Sequence, residues 1–297
     1  MRNELLERLV TDDDPVPAAW DALWDVWSPA AADLSTHYDR EQESLDTEWK
    51  LYNVYEELFT EVLPNRCVRE PSLSVPEDGA LLMMDAMSVR EAPLFADALR
   101  DAGFDVSVGF DYATVPSETQ PFRDRVDYAS LRRKYESTSV SSVEPSLAGD
   151  ERVVWSRYPD ALAENIQEGQ TEIGSIEETY RKTEDVLLAV VSQLDADRVV
   201  IRSDHGYGRF EAGFGFPVSD ATTDRLQALF SGGRSVDVGE ADDSVARELV
   251  EDGVVVESDG WYLPVGRYTW PARGKFSTYQ HGGLGLTEVL TPELDVQ

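Results

Sequence analysis

The chain has 297 residues, 41% of them hydrophobic, so it can form one large α/β domain and is not a disordered protein. Its 58 acidic residues outnumber 26 basic ones, and the formal net charge is −32. This charge argues against a broad electrostatic grip on duplex DNA, which normally uses many basic side chains. We interpret it as the surface of a haloarchaeal-type protein, because salt shortens the screening length to about 3 Å at about 1 M. One unusually acidic protein of an ordinary cell is the alternative.

The cysteine content and the N-terminus indicate a cytoplasmic protein. Cys67 is the single cysteine, which excludes an intramolecular disulfide. The segment MRNELLERLVTDDD lacks the apolar stretch of a signal peptide. No apolar run approaches the roughly 18 residues of a membrane span. We therefore expect a cytoplasmic protein that does not contact a membrane.

Residues 1–75 predict a helical N-terminal region. Apolar side chains recur there at helix-like spacings: Leu5, Leu6, Leu9, Trp20, Leu23, Trp24, Trp27, Trp49, Tyr52, Tyr55, Leu58 and Phe59. Pro71 and Pro76 end the region. The aromatic residues favour packing on the following domain, with a surface for protein partners as the alternative.

Residues 76–297 predict a second, α/β domain, in which short apolar runs alternate with helical patterns. The predicted strands cover residues 80–85, 104–110, 152–155 and 198–203, and the predicted helices cover 90–102 and 176–194. Such alternation predicts a mostly parallel central sheet with helices on both faces.

Two further segments of this domain lack the alternating pattern. Residues 135–150 are Ser-rich and predict a loop. Over about 216–276 the pattern weakens, and we expect a small insert or cap. The predictions within this insert are a short helix over 245–249 and a hairpin of 254–256 with 261–263.

Residues suited to metal chemistry follow two predicted strands, where open α/β sheets place their sites. Asp85 follows the first strand and would bind a metal or cap the next helix. Asp204 and His205 follow the fourth strand, before Gly206, and supply an oxygen and an imidazole suited to zinc or manganese. His281 precedes paired glycines near the C-terminus; a structural histidine is the alternative.

The phrases LLMMDA, VIRSDHGYG and HGGLGLTEVLTP, in this order, resemble the alkaline phosphatase superfamily and, within it, the PglZ-domain branch. The resemblance covers about residues 79–297 without the 216–276 region. It implies an alkaline-phosphatase-like fold and the hydrolysis of phosphate esters. It also implies two metal sites, so the expected cofactors are one or two divalent ions, zinc or manganese.

The resemblance further implies a Ser or Thr nucleophile some tens of residues after the first aspartate, with a proline three residues before it. The segment 115–123 (VPSETQPFR) matches this phrase and puts Thr119 in the nucleophile position. Pro121 favours a first helical turn, whose N–H groups attract a phosphate. Arg123, one turn on, would hold a phosphoryl oxygen. Alternatively, Thr119 only caps a helix, and Ser88 is a rival nucleophile.

By resemblance, the first metal site consists of Asp85, Thr119, Asp204 and His205. The second should contain an aspartate, a histidine four residues later, and His281. No histidine occupies the expected position, and the best match supplies Asp160 and Glu164. A carboxylate in place of imidazole moves the preference toward manganese, magnesium or calcium. Alternatively, Asp160 and Glu164 belong to a solvated helix face.

These observations support three functional hypotheses. The first is a metal-dependent hydrolase using Thr119, with phosphodiesters such as a nucleotide or oligonucleotide favoured over monoesters by the PglZ-type resemblance. The second is a weakly or non-catalytic PglZ-type module that acts through protein partners at its N-terminal helical region, for example in phage defence. The third, a metal-free α/β binding protein, would require three motif matches in the right order to be coincidence.

Overall fold

The computed structural model describes residues 3–29, 31, 33–162, 175–211, 213–270 and 279–297. Its α-helices are α1 (Asn3–Thr11), α2 (Val16–Trp27), α3 (His37–Val54), α4 (Leu63–Arg69), α5 (Ala92–Asp101), α6 (Thr119–Arg125), α7 (Tyr128–Lys134), α8 (Ile176–Gln193), α9 (Asp220–Phe230), α10 (Asp243–Glu251) and α11 (Leu286–Val289). Leu34–Thr36 is a 3₁₀ helix and Leu58–Val62 a π-helix. No helix among the described residues is both long and apolar enough to cross a membrane.

Six of the strands in the described part of the chain form one central sheet. The described strands are β1 (Gly79–Met84), β2 (Val106–Tyr112), β3 (Ser137–Val140), β4 (Val153–Ser156), β5 (Arg198–Ser203), β6 (Gly208–Arg209), β7 (Val236–Asp237), β8 (Val255–Ser258), β9 (Trp261–Pro264), β10 (Tyr279–Gln280) and β11 (Leu290–Val296). The central sheet has the order β2-β11-β5-β1-β4-β3, in which β11 alone runs antiparallel to its neighbours. The predicted mixed α/β fold with a mostly parallel sheet is therefore confirmed.

Helices cover both faces of this sheet. Every residue of β1 is buried, as expected of a central parallel strand. Leu82 and Met84 point to one face and pack in a core that includes α5 and α8. Leu81 and Met83 point to the other face and pack with residues of α6 and α7. The alternation of side chains along the strand produces these two cores.

The N-terminal helices bury charged as well as apolar side chains. On α2, Trp20, Leu23 and Trp27 are buried, in agreement with their helical spacing. On α3, Glu41 and Glu48 are fully buried. Their partners come from later parts of the chain, so α3 is held to the rest of the protein by polar contacts. The division of the chain into domains at residue 76 stays a prediction.

Two segments differ from the sequence-based expectation. Within the Ser-rich segment 135–150, predicted as a loop, residues 137–140 form strand β3. Thr138 and Val140 are β-branched and fit an edge strand, which needs only β4 as its partner. The C-terminal strand β11 was not predicted, and it fills the gap between β5 and β2.

The insert contains α9, α10 and a three-stranded antiparallel sheet of β7, β9 and β8. The predicted hairpin is present as β8 and β9, joined through Asp259 and Gly260, which have φ values of 49° and 84°. Positive φ at both positions suits a tight hairpin turn. The predicted short helix lies within α10. Helix α9, which begins after the N-cap Ser219, was not predicted.

Candidate metal centre

Two aspartates emerge side by side at the carboxyl edge of the central sheet. Asp85 follows β1 and Asp204 follows β5, and these parallel neighbours pair in register up to Met84 and Ser203. His205 comes next in the chain. Ligand atoms from Asp85, Asp204 and His205 all lie within 4.8 Å of one another, and within the described ranges no other group of three or more acidic, His or Cys residues does so. The sheet register therefore creates a candidate metal site.

The electrostatics of the three residues fit a cation. Burial raises the pKa of Asp204 to about 6, and burial together with the charge of Asp204 raises the pKa of Asp85 to about 6. Burial lowers the pKa of His205. The described residues offer no hydrogen-bond partner to Asp204 Oδ2, which is fully buried. A buried carboxylate oxygen without a partner is unfavourable, and a divalent cation would compensate it.

The hydroxyl of Thr119 lies beside this group. Helix α6 begins at Thr119, and the half-buried hydroxyl donates to Asp85 Oδ1 at 3.2 Å and lies 3.3 Å from His205 Nε2. Glu118 occupies the N-cap position, so Thr119 is the first helical residue and not the cap. The structure thus brings Thr119 together with Asp85 and His205.

The rival nucleophile Ser88 is placed differently. Ser88 is fully buried, and its hydroxyl donates to Glu91 Oε2 at 2.7 Å. Tyr207 donates to the same carboxylate oxygen at 3.3 Å. Because this hydroxyl is both inaccessible and engaged, Ser88 is a poor candidate for attack on a substrate.

Arg123 lies against an aromatic residue that sequence reasoning missed. The guanidinium carbon of Arg123 is 3.9 Å from the ring centroid of Trp155, and the Arg123 Nε atom is buried with no hydrogen-bond partner among the described residues. Trp155 in turn donates its indole N–H to Asp85 Oδ2 at 3.2 Å. The available signal was the position of Trp155 near the end of a predicted strand, but a tryptophan there equally suits the core.

The loop that carries His281 also reaches the centre. The rings of His281 and His205 stack with centroids 4.1 Å apart and planes at 26°. His281 Nδ1 lies 3.1 Å from the Ser117 carbonyl oxygen, which favours a proton on Nδ1. Burial and the neighbouring His205 lower the pKa of His281 to about 4. A neutral imidazole therefore leaves Nε2 able to accept a proton or bind a metal.

Paired glycines let this loop approach Thr119's own loop closely. Gly282 has a φ of 113°, and its N–H donates to Ser117 Oγ at 2.8 Å. Ser117 Oγ donates onward to the Gly283 carbonyl at 3.0 Å. A side chain at position 282 would be strained by this backbone conformation. The two loops are thus fixed to each other two residues before Thr119.

The residues predicted for a second metal site are less closely grouped. The Asp160 N–H donates to the Asp85 carbonyl at 3.1 Å, so its backbone borders the centre. Neither Asp160 nor His281 is among the three residues whose ligand atoms cluster, as far as the described part of the chain extends. Glu164 lies outside the described residues. A second metal site made by Asp160, Glu164 and His281 stays a prediction.

Comparisons with known proteins give no family. No protein-family model matches the chain, and no curated protein does. Murine ectonucleotide pyrophosphatase/phosphodiesterase 5, solved as an inactive form with AMP, aligns at a TM-score of 0.39 and 9% identity over 74% of this chain and 88% of its own. Phosphonoacetate hydrolase from Sinorhizobium meliloti 1021, solved with phosphonoformate, aligns at 0.26 and 12% over 73% and 65%. TM-scores this low carry no argument about function.

Proposed function

We propose that this protein is a metal-dependent hydrolase of phosphate esters with Thr119 as its nucleophile. The observation that carries the proposal is the position of the Thr119 hydroxyl, 3.2 Å from Asp85 Oδ1 and 3.3 Å from His205 Nε2. Asp85, Asp204 and His205 would hold the ion, since two carboxylates and an imidazole suit zinc or manganese. The bound ion would lower the pKa of the hydroxyl and offset negative charge at the reacting phosphate.

The reaction would take place in two displacements. Thr119 Oγ1 attacks phosphorus, the bond to the leaving oxygen breaks, and the leaving group departs as an alcohol after taking up a proton. Water then attacks the phosphorus of the phosphothreonine, the Thr119 Oγ1–P bond breaks, and the hydroxyl regains a proton. Arg123 would donate a hydrogen bond to a phosphoryl oxygen, because it lies one helical turn after Thr119 and its Nε has no hydrogen-bond partner among the described residues.

The sequence also supports a more specific family, substrate and cellular setting for this proposal. The phrases LLMMDA, VIRSDHGYG and HGGLGLTEVLTP favour the PglZ-domain branch and a phosphodiester, such as a nucleotide or oligonucleotide, over a monoester. The net charge of −32 favours the cytoplasm of an extreme halophile. Protein partners would bind the N-terminal helical region.

The test is an assay with bis-p-nitrophenyl phosphate at molar KCl. We expect protein stripped with a chelator to be inactive and to regain activity with manganese or zinc. Asp204→Asn should lose this activity, whereas Ser88→Ala should keep it because Ser88 is directed at Glu91 and not at the metal centre. Folded protein that binds no ion and hydrolyses no ester would overturn the proposal and support the partner-binding module.

A further inference from the structure

The two oxygens of the Asp85 carboxylate have different partners. Oδ1 accepts from the Thr119 hydroxyl at 3.2 Å, and Oδ2 accepts from the Trp155 indole N–H at 3.2 Å. Asp85 lies directly after β1, and Trp155 belongs to the neighbouring strand β4. The carboxylate is therefore held at both ends, and its rotation about the Cβ–Cγ bond is restricted.

The orientation of the indole is itself fixed. Trp155 is 1% exposed and pairs with Met83 in the register of β4 and β1. The Arg123 guanidinium covers one side of the ring at 3.9 Å, and Tyr128 meets the ring at 4.8 Å with planes at 61°. A donor held by a strand and by packed neighbours keeps a ligand in place better than one on a loop.

We propose that Trp155 is a positioning residue, which directs Asp85 Oδ1 toward Thr119 and the metal by binding Oδ2. This inference rests on the proposed function, because it assumes that Asp85 binds an ion. An uncharged indole N–H suits the task, since it orients the carboxylate without adding a positive charge that would compete with the cation. Partners of this kind around metal ligands typically contribute 10- to 100-fold, roughly, to metal affinity.

The test compares Trp155→Phe with Trp27→Phe. Trp27 is also 1% exposed, and its indole nitrogen has no hydrogen-bond partner among the described residues, so the control removes the same atoms away from Asp85. The dissociation constant of Mn²⁺ is measured from the signal of the free ion by electron paramagnetic resonance. We expect Trp155→Phe to weaken binding by about 10- to 100-fold and Trp27→Phe to leave it unchanged.

The visible spectrum of bound Co²⁺ is a second readout, because it reports ligand geometry and not overall stability. It should change in Trp155→Phe and stay the same in Trp27→Phe. Equal affinities and spectra in wild type and Trp155→Phe would overturn this inference alone. Absence of metal binding in the wild type would overturn the proposed function with it.

If Trp155→Phe fails to fold, the wild-type protein still decides the question. Zinc is added to protein with ¹⁵N-labelled indoles, and the indole N–H resonances are followed by NMR. The resonance of Trp155 should move on zinc binding, since its acceptor Asp85 becomes a ligand, while that of Trp27 should not. A Trp155 resonance that stays in place while zinc binds would overturn the inference.

Discussion

The Thr119 hydroxyl donates to Asp85 Oδ1 at 3.2 Å although 34 positions separate the two residues in the chain. Asp85 directly follows β1. The chain then passes through β2, which is not a neighbour of β1 in the sheet, before α6 begins at Thr119. The segment between β2 and α6 must therefore cross the carboxyl edge of the sheet. This crossing places a half-buried hydroxyl beside two carboxylates and an imidazole, which is the basis of the function proposed here.

In metal-free protein, the contribution of Asp85 and Asp204 to the free energy of unfolding should fall as pH rises from about 4 to about 6. Burial raises the pKa values of Asp85 and Asp204 to about 6, so the folded state binds protons more tightly than the unfolded state in this range. Asp204→Asn keeps the oxygen that accepts from the Ala86 N–H and removes the charge. We expect this variant to have a higher Tm than the wild type in metal-free buffer above pH 6, at molar KCl.

The matched control is Asp197→Asn, an exposed aspartate next to β5, which should not change the Tm in this way. Added manganese should stabilise the wild type and leave Asp204→Asn unaffected. A metal-free Asp204→Asn protein that is less stable than the wild type above pH 6 would show that Asp204 serves the fold and not a cation.

Arg123→Met should lower kcat/KM for a diester by about 10²- to 10³-fold. Methionine keeps apolar contact with the Trp155 ring but cannot donate to a phosphoryl oxygen. Metal affinity should persist, because the indole still binds Asp85. Steady-state kinetics and Mn²⁺ binding measure the two effects. Arg125→Met on the same helix is the control, since Arg125 pairs with Asp259 at the surface; equal losses in both variants would exclude a specific role for Arg123.

Arg267→Ala should destabilise the protein by about 3–5 kcal/mol. Arg267 is fully buried and donates to Glu48 at 2.8 Å and to Glu41 at 3.2 Å, so its removal reduces the compensation of two buried carboxylates. Glu48 also accepts from the Leu286 N–H at 2.7 Å, which connects α3 to the first residue of α11.

The free energy of unfolding in denaturant at molar KCl measures this effect. The exposed pair of Arg247 and Asp243 provides the control, because Arg247→Ala should cost at most about 1 kcal/mol. If Arg267→Ala were no more destabilising than Arg247→Ala, the buried ion pairs would not hold α3 in place.

Much of the central sheet could be predicted from local patterns. The fourth predicted strand coincides with β5, and the acidic residues at the ends of two buried strands gave Asp85 and Asp204 as metal-ligand candidates. Both predictions depend on short apolar runs and on the rule that functional sites of open α/β sheets lie at the carboxyl ends of the strands. Because β1 and β5 are parallel neighbours, the two aspartates that follow them lie side by side.

The parts that could not be predicted depend on contacts between distant segments. Strand β11 (LTPELDV) alternates apolar and polar residues, but its Pro292 is atypical of a strand with neighbours on both sides, such as β5 and β2. Trp155 fits a core position as well as a contact with Asp85, and its sequence neighbours do not distinguish them. Likewise, the buried charges Glu41 and Glu48 look like a solvated helix face until Arg267 is placed beside them.

The most direct measurement compares Thr119→Ala, Thr119→Ser and the wild type in hydrolysis of bis-p-nitrophenyl phosphate, with metal content determined on the same samples. We predict that all three bind the ion, since Asp85, Asp204 and His205 are unchanged. Thr119→Ala should lose about 10³-fold or more in kcat, and Thr119→Ser should keep part of the activity because it retains a hydroxyl. Thr119→Ala protein that is metal-loaded and hydrolyses the diester at the wild-type rate would contradict the central claim.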